Sequence, residues 1–152
     1  MTTIILTIIG ILLAAAAALM VIFYGGDAFS SGSVGAQANT VQNAGTNVVS
    51  ALQMYRAETG SVPTDLTLAQ LTTTNNGSGT YLDEEPALPG NLADSLSGGR
   101  QYQVAAVPAN ICKRINANLK VATAPTAPTT GVKMACALAT TDAATGTFFA
   151  NS

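Results

Sequence analysis

The chain has 152 residues, a formal net charge of −2 and only 9 % charged side chains, which suits one domain. Its six Lys and Arg are spread thinly from Arg56 to Lys133, leaving no basic tract to follow a nucleic-acid backbone, so no direct nucleic-acid site is expected. Histidine is absent, which removes His-based metal sites and His general bases; with no phosphate-cradling loop and no G-x-S-x-G, neither catalysis nor a cofactor is expected.

Residues 4–26 (IILTIIGILLAAAAALMVIFYGG) carry no charge and one aliphatic hydroxyl, Thr7. As a helix, residues 1–24 would run roughly 36 Å at 1.5 Å per residue, enough to cross a bilayer core about 30 Å thick. Phe23 and Tyr24 stand at its end, where aromatic rings meet headgroups, and Asp27 is the first charge. A cleaved secretory signal is the competing reading. It calls for a positive leading region and a shorter run, whereas no Lys or Arg precedes this one. Gly10, Ala14 and Ala18 recur at four-residue spacing and mark a flat strip for close helix packing, although alanine also simply fills a span.

Gly25 and Gly26 should loosen or end this helix, so a flexible break is expected over 25–33. Either it is a hinge that melts locally or an ordinary boundary between the 1–24 span and a 34–152 head. A second helical pattern follows. Val34, Ala38, Val41, Gly45, Val48, Leu52 and Tyr55 are spaced by fours and threes, a single apolar stripe opposed by Gln, Asn, Thr and Ser. Gly60 and Pro63 should stop it near Thr59.

Thr64 and Asp65 can cap a short helix over 66–71, and TNNGSGT (74–80) reads as a loop. Asp83, Glu84 and Glu85 form the one dense acidic cluster. They could chelate a cation or act as paired carboxylates, but a triplet before a proline reads first as solvated surface. Residues 88–91 (LPGN) read as a turn.

RQYQVAAV (100–107) alternates as a strand, with Tyr102, Val104 and Ala106 on one face. Pro108 can open a helix whose inner face carries Ile111, Cys112, Ile115 and Leu119. TAPTAPTT (123–130) is a linker. VKMACAL (132–138) alternates, with Val132, Met134, Cys136 and Leu138 together, and TFFA (147–150) forms a last strand after a turn over 141–146. The fold class expected is α+β: a long N-terminal helix, apolar and then amphipathic, its second half covered by an antiparallel sheet of three or four strands.

Cys112 and Cys136 are the only cysteines, each on the inward face of its own element. A disulfide would pin the third helix to a central strand and place the domain outside the cytoplasm; two free buried thiols are the alternative.

This layout resembles the type IV pilins. The local likeness is strongest at ALQMYRAETGSVPTDL (51–66), similar to the end of the long pilin or pseudopilin helix, where Ala-Leu-x-x-Tyr leads to Gly-x-x-Pro-Thr. The tail resembles the type IVb, bundle-forming branch, with a Cys-bearing helix after an alternating strand and a second Cys before the last strand. The resemblance implies a filament subunit that packs with copies of itself, an inner-membrane precursor, a prepilin peptidase that cleaves a leader and methylates Met1, and a separate assembly machinery. One position departs from the pattern: Ile5 stands where the family usually has Glu. The competing functional reading is a membrane-anchored periplasmic binding protein with a single span.

Overall fold

In the computed structural model, described for residues 2–62, 64–73, 80–121, 131–140 and 143–152, one helix, α1, spans Thr2–Thr59. The remaining elements in chain order are α2 (Leu68–Thr72), a 3₁₀ turn (Pro89–Asn91), β1 (Asp94–Ser97), β2 (Gln101–Pro108), α3 (Ala109–Asn118), β3 (Met134–Leu138) and β4 (Thr145–Asn151). The chain divides by packing into two units, Met1–Val34 and Gly35–Ser152. The protein is α+β, a long N-terminal helix followed by a small antiparallel sheet.

In the first unit the helix does not stop where the glycines stand. The break expected over 25–33 is helical throughout, Gly25 and Gly26 included. A glycine weakens a helix interior by about 1 kcal/mol. Breaking there would require a second helix to nucleate afresh, and nucleation is the costly step.

The second unit is built on the amphipathic half of α1. Ala38, Val41, Gly45, Val48 and Leu52 are buried as the stripe requires, with Ala44 and Ala51 widening it and Val34 and Tyr55 half-buried at its ends. The stripe lies on a four-stranded sheet of order β1-β2-β4-β3 in which every neighbouring pair is antiparallel. Gly45 marks the closest approach: a Cβ added there would come within 2.8 Å of the Phe148 ring and 3.3 Å of Ala150 Cβ. Phe148 pairs across the sheet with Val104 and Cys136, and Ala150 with Tyr102 and Met134, so these residues share the helix-facing side. At the end of α1, Gly60 takes a positive φ of 77° and its N–H bonds to the Arg56 carbonyl at 2.9 Å, as expected of that glycine.

Several local expectations move. The cap of α2 is Thr67 rather than Thr64 or Asp65, because Gln70 three residues on reaches back to accept the Thr67 N–H at 2.8 Å. β1, in the polar stretch DSLS, carries no sequence signal and exists because β2 offers it a ladder. Ala106 leaves the inner face of β2. The pairing with β4 shifts between Val104 and Val107, Ala106 adopts φ 57° and stays exposed, and Val107 takes the buried place. In β3 burial is two-sided: beside Cys136 and Leu138, Ala135 and Ala137 are buried on the other face with Phe149, where Val121 and Val132 cover them. Val132 thus belongs to that outer cluster and not to the inner set. The 123–130 linker and most of the 74–80 loop lie outside the described residues, as do Met1, Pro63, Thr141 and Asp142.

Two tyrosines tie the connecting segment and β1 to this frame. The Tyr81 hydroxyl donates to the Glu58 carboxylate and its ring meets Tyr55 edge-on at 5.2 Å. Chiefly through the Glu58 bond, with desolvation adding, the Tyr81 hydroxyl is pushed up to about 12. Burial, then the 2.8 Å bond to Asp94, also raises the Tyr102 hydroxyl above the ordinary tyrosine value. Each folded-state value lies above the unfolded one. The stability these groups contribute is therefore complete below about pH 10 and, for Tyr81, is lost as pH rises through about 12.

Two outcomes follow. Gly45→Leu should lower stability by about 1–3 kcal/mol through overpacking against Phe148, read by thermal unfolding of the detergent-solubilised chain. Glu58→Gln should bring one tyrosine's ionisation, followed by ultraviolet absorbance, down toward the ordinary value near 10.

Candidate functional site

The first unit presents one continuous apolar surface. Thr3–Phe23 is a helix long and apolar enough to cross a membrane, with mean hydropathy 2.9 and none of it buried. Every large apolar side chain from Ile4 to Phe23 is more than half exposed, and Phe29 beyond it is 82 % exposed. Gly10, Ala14 and Ala18 lie on this exposed helix, and a Cβ built at Gly10 would meet nothing within 4 Å, so the small-residue strip is open to a neighbour. Thr7 donates its hydroxyl to the Thr3 carbonyl at 2.7 Å, which satisfies it inside the helix. Met1, whose amine the resemblance makes the processed end, is outside the described residues.

The second unit is fastened at one residue of β3. Cys112 of α3 and Cys136 of β3 form a disulfide, with Cα atoms 5.3 Å apart across 24 residues of chain. One helical turn further on, the Asn116 amide takes both backbone groups of the same residue: Asn116 Nδ2 donates to the Cys136 carbonyl and the Cys136 N–H donates to Asn116 Oδ1, each at 2.8 Å. β3 is an edge strand, so this side chain supplies the partner a fifth strand would. Gly146 makes room for the fastening, since a Cβ there would fall 2.7 Å from Cys112 Sγ and 2.4 Å from the Ala137 carbonyl oxygen. Sequence reasoning assigned the inner face to Leu119, which is half-buried; Asn116, buried and doubly bonded, was missed. The available signal was its position four residues after Cys112, on the same helix face.

Asp83, Glu84 and Glu85 are exposed, and among the described residues no group of acids and cysteines is placed to hold a metal ion. The chain matches no protein-family model, no curated protein and no solved structure.

Removing the fastening tests its two halves. Cys136→Ser should cost roughly 3 kcal/mol from the lost loop constraint. Asn116→Ala should cost about 1–3 kcal/mol, because it strands a buried N–H and carbonyl. In a double-mutant cycle the two losses should fail to add, since both act on Cys136.

Proposed function

We propose that the chain is a structural subunit of an extracellular filament of the type IV pilus class, nearest the type IVb branch, and not an enzyme. The observation that carries this reading is the uncovered Thr3–Phe23 surface running without interruption into a helix that anchors a disulfide-fastened head. Leaving a single Ile or Leu side chain in water costs about 1.5–3 kcal/mol. A surface of this size therefore belongs in lipid or against other proteins. Held in the inner membrane with the head outside the cytoplasm, the helix is a reserve of subunits. In the filament the same surface packs against other copies, with Gly10, Ala14 and Ala18 letting backbones come close. The exchange of acyl chains for sister helices is near neutral in apolar terms, so small-residue packing and head contacts tip it.

In this reading a prepilin peptidase processes and methylates the precursor, and a separate assembly machinery extracts the subunit. Ile5 leaves no carboxylate at that position for a neighbour's amine. Gly25 and Gly26, helical here, are where such a rod bends at least cost.

Negative-stain microscopy of sheared cell surfaces is the direct test: filaments containing this chain are expected. Recovery only as a detergent-solubilised monomer would replace the proposal with a single-span anchored binding protein. Ala14→Lys should abolish filaments while leaving the head folded by circular dichroism; normal filament yield would remove the packing argument.

A further inference from the structure

α3 fills one half of a groove and leaves the other half empty. Over residues 35–42 of α1 it lies between α1 and β3: Gln42 Nε2 donates to the Ile115 carbonyl at 3.3 Å, and the disulfide and Asn116 hold α3 to Cys136. Further along α1 no element takes its place among the described residues. Thr46, Val49, Ser50 and Gln53 face the start of β3 across an open groove of about 700 Å³, with Lys133 and Met134 on the opposite wall.

The strand edge in that groove pairs with no strand among the described residues. The Asn151 N–H donates to the Lys133 carbonyl at 2.8 Å, which marks Lys133 and Asn151 as a hydrogen-bonded pair. Alternation along an antiparallel ladder then turns the N–H and carbonyl of Met134 away from β4, as it does at Cys136. Asn116 takes the Cys136 groups; no described residue bonds those of Met134.

Among the described residues Lys133, just before β3, is the one charged side chain lining the groove, and Lys113 and Arg114 on α3 and Lys120 just after it are exposed as well. Asp83, Glu84 and Glu85 are exposed and follow Tyr81, which bonds Glu58 and meets Tyr55, residues of α1 that do not line the groove. Among the described residues no ion pair joins any of these charges within the chain. The stretch that follows, 85–88, has no regular secondary structure.

Taking the filament reading as its basis, we infer that the open groove between α1 and β3 is a subunit-docking site that receives the acidic 83–88 segment of a second copy. Lys133 meets the acids, and the free Met134 backbone pair meets the extended chain. The two surfaces are different patches of the head, so the contact is head-to-tail. It repeats from copy to copy without using up either edge, which a filament needs and a closed dimer does not.

Cross-linking and charge exchange on the full-length chain test the site. Glu84→Cys with Lys133→Cys, oxidised in membranes or shed filaments, should give a ladder longer than dimers on non-reducing gels. Either single variant should stop at dimer. Lys133→Glu and Glu84→Lys should each lower filament yield about tenfold, and the two together should restore it. Both positions are exposed, and far-UV circular dichroism of each variant checks that the head remains folded. Wild-type filaments without the 84–133 ladder, or without the exchange effect, would overturn the docking site and leave the filament function standing. Absence of both filaments and ladder would overturn the two together.

Discussion

The structure depends on a hydrophobic surface that its own chain leaves bare. The side chains from Ile4 to Phe23 are exposed all round, at a collective cost in water of tens of kcal/mol by area arguments. A domain of this size is stable by only about 5–15 kcal/mol. Transfer of that surface into lipid or against other proteins would therefore release more free energy than folding of the head does. The rest of the sequence is consistent with this demand. The helix holds no charge until Asp27, Thr7, the one aliphatic hydroxyl in residues 4–26, is bonded internally, and the head carries few charges to hinder close neighbours.

The head meets a different constraint, the shortage of core. Its large buried side chains are few: Tyr102, Phe148, Phe149, Leu52, Leu71 and Ile115 lead them. A small core of this kind gains from covalent and polar fastening, and both are concentrated on Cys136. The disulfide limits the unfolded chain, while the Asn116 amide satisfies two backbone groups that burial would otherwise penalise. Concentrating them at an edge strand also blunts that edge against uncontrolled pairing. Among the described residues Met134, beside the groove, has no such partner for its outward N–H and carbonyl.

Much of the fold was legible because its signals are periodic. The stripe from Ala38 to Leu52, the alternation in β2 through Val104, and the inward placing of both cysteines each follow from one side chain repeating on one face. What escaped lacks such a repeat. β1 is a polar four-residue strand recruited by its neighbour. Ala106 and Val107 exchange places because of a shift in register that only the paired strand imposes. Ala135 and Ala137 are buried by a covering segment far along the chain, and alanine is too small to announce which face it occupies. Asn116 shares the inner face with Cys112, but its role shows only once its partner, the backbone of another element, is in place. At the apolar segment the sequence supplied the surface and the small-residue strip. The scattered bases showed no patch in the sequence; three of the six fall on α3 or just after it, and Lys133 lines the groove before β3.

The hydroxyls along α1 carry a consequence of their own. Thr7, Thr40, Thr46 and Ser50 each donate to the carbonyl four residues earlier. Their protons are already committed, so an incoming neighbour finds methyl groups and lone pairs in place of donors awaiting acceptors. Such a face can change companions, from lipid to protein or from solvent to a sister helix, without breaking one bond before making the next. At these four positions, movement between surroundings then leaves no hydroxyl proton unbonded.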